Sequence, residues 1–367
     1  MNKNAFIFVV LLITCLISQC CYATSFKVVF LNPGYPDQNT TGKFWSNVTQ
    51  FMTAAADDLD IELVTIYAFR NHILMKSLVE EIAAEKPQYV ILVNEKGIAL
   101  NIMRQIATHN IPTFMLLNTF NDKDYSLLST PEKSLLIGSV IPDNYIAGNK
   151  LLNGLFQQYE SLQDNNNNNS SRNLLALQGD YTTPASLARE QGMKDAIQAI
   201  KSINIVDSTV ANWSKQQAYQ KVKGILQRKR IDLIWAGNDA MAFGAKKAVE
   251  ELTLEYPVVI GGINWDVDDP HYPTNLSFGG HVTLGALALA MLRDIDSNNL
   301  PLNERHQVVD IFESSSTPYS NLFKTRLKQH QLEYYDFAKF SYSSTNKLPF
   351  TIENITNTFS QQSEDKK

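Results

Sequence analysis

Cysteine is almost missing from this 367-residue chain, and the three that occur, Cys15, Cys20 and Cys21, all sit near its start. Beyond them no disulfide can form, so the body of the chain must hold together by core packing alone. Metal and catalytic patterns are lacking too. The six histidines are scattered, with no His-x-x-x-His pair and no glutamate partner on a helix face. No Gly-x-Ser-x-Gly elbow, Walker loop or Gly-x-Gly-x-x-Gly occurs, which removes the sequence grounds for serine hydrolysis and for phosphate cradling. Asp266, Asp268 and Asp269 lie close together, but the glycine and distal glutamate of a calcium loop are missing, so this stretch is expected to be a solvated loop. There is no basic block, and the net charge is −5, so nothing points to nucleic acid. An enzyme is not expected, nor is any cofactor or metal.

What is present is an ordinary globular composition, 44% hydrophobic and 19% charged, in a chain long enough for two domains. The start is the exception. Lys3 precedes an apolar run from Ala5 to Ile17, and Cys21-Tyr22-Ala23 offers a small-x-small cleavage site. This is the layout of a secretory signal peptide over residues 1–23, too short for a comfortable membrane span. Cleavage after Ala23 would remove every cysteine. A lipid anchor on one of them ranks second, because Gln19 before Cys20 fits a lipidation site poorly.

From Phe26 onward, strand-like and helix-like segments alternate. Strands are expected at Val28–Leu31, Ile61–Ile66, Tyr89–Val93 and Thr113–Leu117, with helices at Phe44–Leu59, Ile73–Ala84 and Ile98–Thr108 between or after them. A second series follows. Asp143 can cap a helix, the run of asparagines Asn165–Asn169 reads as an exposed loop, and Leu174–Leu177 resumes as a strand. Helices at Pro184–Ile200 and Lys215–Gln227 and strands near Ile205, Leu233 and Val258–Ile260 continue it, and a late helix spans Thr283–Asp296. Such alternation predicts βαβ units, hence two doubly wound parallel-sheet α/β lobes joined by a hinge. The first lobe is expected at 24–141 plus 280–307, and the second at 142–279 plus 308–367.

The stretch Ile231–Glu250 shows where function should sit. A buried apolar run gives way to helical spacing, with Asn238 and Asp239 at the junction. Both residues suit a helix N-cap, and in open α/β sheets the carboxyl end of a strand is also where ligands bind. Other polar and aromatic residues stand at comparable junctions: Phe44 and Trp45, Asn118, Arg189, Trp213 and Asn264, with Trp265 and His281 nearby in sequence. Aromatic faces can cover the C–H faces of a sugar ring. Asparagine amides both donate and accept, as hydroxyls do, and an arginine can fork two oxygens. Core packing is the alternative for each aromatic, and a surface ion pair for Arg189.

These segments resemble the sugar-binding periplasmic proteins of the type I family, which includes the ribose- and galactose/glucose-binding proteins. Gly237-Asn238-Asp239-Ala240-Met241-Ala242-Phe243-Gly244-Ala245 is similar to the family's Asn-Asp-x-Met-Ala-x-Gly-Ala segment, and Asp143-Asn144-Tyr145-Ile146-Ala147-Gly148 to the start of its second lobe. Ser186-Leu187-Ala188-Arg189-Glu190-Gln191-Gly192 resembles the segment whose arginine holds ring hydroxyls. The resemblance gives Asn238 and Arg189 ligand contacts, makes Trp213 a stacking platform and places Phe44-Trp45 opposite it. It departs at Gly262-Ile263-Asn264, where members carry Gly-Phe-Asp, and at Asn118-Thr119, where they carry Asp-Arg. Both changes make the expected pocket less charged. The resemblance implies a monomeric periplasmic protein that holds a small neutral polyol or sugar-like ligand and presents it to an inner-membrane ABC permease. A co-receptor for a membrane sensor kinase, sensing a sugar or quorum signal, is the alternative. The repressors that share this fold carry a DNA-binding helix-turn-helix where this chain has its signal-like segment.

Overall fold

The computed structural model describes residues 25–37, 39, 41–162, 171–266 and 271–360. The expected signal peptide, all three cysteines, the asparagine run, and Asp268 and Asp269 lie outside the described residues.

The first series runs β1 (Phe26–Asn32), α1 (Phe44–Asp58), β2 (Ile61–Tyr67), α2 (His72–Ser77), α3 (Val79–Ala84), β3 (Tyr89–Leu92), α4 (Ala99–Thr108), β4 (Thr113–Leu116), α5 (Asp122–Ser126), α6 (Thr130–Leu135) and β5 (Leu136–Pro142). The helix expected over Ile73–Ala84 is divided in two at Leu78, whose φ of −79° and ψ of 0° cap one helix and open the next. The second series runs α7 (Asn144–Ser161), β6 (Arg172–Gln178), α8 (Pro184–Ile200), β7 (Ile203–Val210), α9 (Lys215–Leu226), β8 (Leu233–Ala236), α10 (Asp239–Leu252), β9 (Val259–Asn264) and β10 (Leu276–Gly279). Then come α11 (Leu284–Asp296), β11 (His306–Val309), β12 (Glu313–Ser314), α12 (Pro318–Lys328) and α13 (Ile352–Asn357).

The caps follow local chemistry. Asp143 Oδ1 accepts the Ile146 N–H at 2.9 Å, and Asn238 Oδ1 accepts that of Met241 at 2.9 Å. Each satisfies an orphan donor in the first turn of its helix. Strand β8 is buried on both faces, as its unbroken apolar run demands.

The strands form two six-stranded sheets, in the orders β11-β5-β4-β3-β1-β2 and β12-β10-β9-β8-β6-β7. Every pair is parallel except β10 with β12. The first five strands of each series therefore repeat one order, 2-1-3-4-5, which turns the carboxyl ends of the strands toward one edge. The chain passes between sheets after Pro142, near Gly280, and between Val309 and Glu313. The third passage thus falls after β11, which pairs with β5, and not at the expected Gln307, because Val308 and Val309 still complete the first sheet.

The segment after β12 packs against both lobes. Phe323 stacks on Phe51 of α1 at 4.9 Å and meets Trp265 edge-on at 5.7 Å. Asp58 accepts the Phe337 N–H at 2.7 Å, Asp294 accepts the Ser341 hydroxyl at 2.6 Å, and Ile352 lies against Gly280. The residues expected to belong to the second lobe thus cover α1 and α11 of the first, where apolar faces would otherwise meet water.

Between α7 and α8 two glycines remove the side chains that would hold the helices apart. A Cβ on Gly148 would collide with the Arg189 carbonyl, and one on Gly192 with that of Tyr145. This close approach sets the depth at which Arg189 enters the cleft.

Candidate functional site

The carboxyl ends of ten strands meet around one cleft between the sheets. Thr41, Phe44 and Trp45 follow β1, Arg70 follows β2, Glu95 follows β3, and Leu117 and Asn118 follow β4. Asn144 follows β5, Thr183, Ala185 and Arg189 follow β6, and Trp213 follows β7. Asn238, Asn264 and His281 complete the ring after β8, β9 and β10. The cleft holds about 540 Å³ of space free of protein atoms, open solvent at its mouth included. Phe44, Trp45, Asn118, Arg189, Trp213, Asn238 and Asn264, each singled out by its place after a strand, all line it.

The lobes touch across the mouth. Asn118 Oδ1 accepts the Ala185 N–H at 3.0 Å, and Thr183 Oγ1 accepts the Lys96 N–H at 3.2 Å. Both bonds join the first lobe to the second, so the cleft is shut on itself.

Arg189 is the hub of the second wall. Its Nε donates to Asn144 Oδ1 at 2.9 Å, and Nη1 to the Gly237 carbonyl at 2.7 Å. Nη2 lies 3.1 Å from His281 Nε2. Arginine only donates, so His281 must accept through Nε2 and carry its proton on Nδ1. That Nδ1–H has no acceptor among the described residues. Burial, and then the neighbouring Arg189 charge, hold His281 well below the ordinary histidine value, so it is neutral near pH 7. Burial likewise brings Arg189 down to about 9, with Asp239 pulling the other way. Of its five N–H groups two find no acceptor among the described residues, one on each terminal nitrogen.

Trp213 is half-buried, its φ of 60° set by the turn after β7. The indole N–H donates to Asp180 Oδ2 at 2.8 Å, and the ring covers Gly179, where any Cβ would overlap it. Burial opposes ionisation of Asp180, but the Thr183 hydroxyl and N–H, the Thr182 N–H and the indole hold its pKa below the usual value. The Arg189 guanidinium lies 5.9 Å from the indole centroid. Phe44 stacks on His281 at 4.8 Å and meets Trp45 edge-on at 5.0 Å. Asn238 caps α10 and also donates to the Trp213 carbonyl at 3.2 Å, so the capping and lining roles coexist.

Asn118 and Asn264 are uncharged as expected, but Arg70 and Glu95, for which no motif spoke, bring an ion pair into the first wall, with Arg70 Nη1 2.7 Å from Glu95 Oε1. One expectation needs correction: Asp266 is not on a solvated loop; it is 3% exposed. Both of its oxygens lack hydrogen-bond geometry, although the Asn264 amide and the Lys43 N–H face it. Asp239, beside it, accepts the Ser277 hydroxyl and the Asp266 N–H. Burial raises both carboxyls above their usual range; the Asp266 charge adds to this at Asp239, and Lys324 opposes it at both. Trp265 lies in the core and does not line the cleft. Thr41, Asn144 and Thr183 also line the cleft without a motif to mark them, although the rule that ligands sit beyond strand ends would have found Asn144; His281, noted only for its nearness in sequence, lines it too.

Two α/β lobes closed over a cleft lined from ten strand ends define a two-lobed solute-binding protein. Comparison with known proteins gives the family. A model described as a periplasmic binding protein domain matches residues 35–268, well over half of the chain. The chain belongs to this periplasmic binding protein domain family. A periplasmic sugar-binding protein from Pseudomonas fluorescens has a similar structure, with a TM-score of 0.76 and 26% identity over 90% of this chain and 99% of that one. The binding component of the arabinose ABC transporter from Shewanella sp. ANA-3, solved with α- and β-L-arabinofuranose, is similar in fold, with a TM-score of 0.66 and 18% identity over 84% of this chain and 98% of that one. The galactofuranose-binding protein YtfQ of Escherichia coli is 23% identical over 158 residues, 42% of this chain and 45% of that protein. The curated relatives are matched over less than half their own length.

Proposed function

We propose that this protein captures a small neutral sugar or polyol between its lobes in the periplasm and presents it to an inner-membrane ABC permease. The observation that carries the reading is the convergence of aromatic faces with two-way amides at ten strand ends. Trp213 on one lobe, and Phe44 and Trp45 on the other, offer apolar walls. Asn118, Asn238 and Asn264 can each donate and accept, and Arg189 keeps two N–H groups for ligand oxygens. The names of its relatives, which bind galactofuranose and arabinofuranose, agree with that chemistry. A ligand that touches both lobes only in the shut form shifts the population toward it.

Export fits the same role: the signal peptide is cleaved after Ala23, and N-terminal sequencing of exported protein should start at Thr24. Function is tested by mass spectrometry of the small molecule released on denaturing purified protein, together with thermal-shift assays against neutral sugars, polyols and amino acids. A sugar or polyol should be released and should raise the melting temperature. Stabilisation by amino acids alone would refute the reading.

A further inference from the structure

The first wall of the cleft contains a carboxylate built into place and left short of donors. After β3 the chain makes a tight turn at Glu95–Gly97, with Lys96 at a φ of 51°. Asn94 pins this turn from both sides: its Oδ1 accepts the Ala99 N–H at 3.1 Å, and its Nδ2 donates to the Thr119 carbonyl at 2.9 Å. The Lys96 N–H reaches across to Thr183, so closure fixes the turn further. Arg70 comes from an equally anchored loop. Its N–H donates to the Pro33 carbonyl at 2.8 Å, and that of Phe69 to the Gly34 carbonyl at 2.9 Å, with both residues at positive φ. Glu95 is 5% exposed, and among the described residues its one close partner is Arg70, whose Nη1 lies 2.7 Å from Oε1 but outside hydrogen-bond angles, so that buried oxygen has an ion contact without an aligned donor. A buried carboxylate ordinarily collects several donors, and each missing one costs free energy. The groups available to supply them are those of a molecule in the cleft.

The two walls then ask for opposite things. Arg189 only donates, so oxygens of the ligand must accept there. Burial and the nearby Asp180 charge push the Glu95 carboxyl up, and the Arg70 guanidinium opposes them; in the ionised form that Arg70 favours, Glu95 only accepts, so a ligand must offer a hydrogen there. A hydroxyl can do either, whereas an ether oxygen or a carboxylate cannot donate. We propose that Glu95, braced by Arg70, is the specificity-determining acceptor of the first wall. It holds the hydrogen of one ligand hydroxyl, and the cleft rejects molecules in which that hydroxyl is removed, methylated or replaced by a carboxylate. The proposal rests on the sugar or polyol reading and narrows it to ligands whose hydroxyl at that end is free and uncharged.

The experiment titrates the full exported chain by calorimetry with D-allose, L-arabinose, D-galactose, xylitol and myo-inositol, then with the monodeoxy and mono-O-methyl derivatives of the best binder. No binding by the parent protein to any of the five would overturn both the function and this proposal. Where one binds, Glu95→Gln should weaken it at least about tenfold while its melting temperature stays within a few degrees of the parent. One deoxy derivative should lose the same factor with the parent and nothing more with the variant, because the lost partner is already gone. If the variant weakens every derivative equally, or none, Glu95 does not contact that hydroxyl, and the sugar site stands without it. If Glu95→Gln does not fold, Glu95→Asp replaces it: it keeps the charge beside Arg70, withdraws the oxygens by one methylene, and should show the same dependence on a single hydroxyl.

Discussion

The two walls of the cleft differ in how far their polar groups are committed to the protein. On the second lobe they are wired to one another: Arg189 to Asn144 and Gly237, Asn238 to Met241 and Trp213, and Trp213 to Asp180, while Arg189 also reaches His281 at the crossing back to the first lobe. On the first lobe Glu95 has a single ion contact, and the aromatic pair Phe44 and Trp45 makes up much of the rest. The wired wall is a preformed half-site, rigid at the cost of few spare valences. The other wall keeps its valences open for a ligand even with the lobes in contact. A hinged trap gains from this asymmetry, because one lobe can seat the ligand while the other completes its contacts.

The sharpest way to break the comparison is to remove the hub. Arg189→Ala should weaken binding of the identified ligand by at least about tenfold, and should also destabilise the fold by roughly 2–4 kcal/mol. The second effect follows from the buried acceptors it would strand on Asn144 and Gly237, although a residue lining a cleft would ordinarily be expected to fold without cost. Calorimetry and urea unfolding measure the two. A binding loss with no change in unfolding would mean that the second wall is not wired as described.

Trp213→Ala should act the other way round, with a binding loss of at least about tenfold, or ~1.4 kcal/mol, and a smaller stability change, because half-burial leaves it less packing to lose. Equal losses in both measurements would make it a packing residue.

The wiring also predicts a pH response. His281 is held neutral in the fold, with a pKa well below its ordinary value. Above about pH 6.5 neither the folded nor the unfolded chain carries a proton there, and the residue contributes no slope. Below that, the unfolded chain takes up a proton that the folded one refuses, so stability falls with falling pH by up to ~1.4 kcal/mol per unit. Urea unfolding of the parent and of His281→Gln, compared from pH 8 down to 5, should show the variant gaining on the parent only in the acid half. A constant difference would place the proton on His281 in the fold.

The smallest effect should come from the contact between walls. Asn118→Ala removes the acceptor for the Ala185 N–H and one lining amide of the first wall, and leaves Arg189, Trp213 and Glu95 in place. Binding should weaken only a few-fold, within the ~0.5–1.5 kcal/mol of one hydrogen bond, and mainly through faster release. Stopped-flow dissociation checks this; a slower association with unchanged release would count against a closing bond.

The second wall was legible because its residues belong to local patterns. Asn238 stands where an apolar run turns into helical spacing, Arg189 lies early in a helix begun by Pro184, and Gly148 and Gly192 permit the approach of α7 and α8. Arg70 and Glu95 carried no such signal. They lie in two loops, their ion pair spans residues distant in sequence, and it exists only because β1 lies between β2 and β3.

The sequence by itself determined the alternation of strands and helices, the caps at Asp143 and Asn238, and the supply of aromatics and amides at strand ends, because hydrophobic period and capping act over a few residues. Tertiary structure alone decided that ten strand ends face one cleft, that Asp266 is buried and not solvated, that the tail covers α1 and α11, and which lone pairs and N–H groups are left for a ligand. Burial and hydrogen-bond saturation depend on neighbours brought from elsewhere in the chain, so they become defined only when the two sheets are in place.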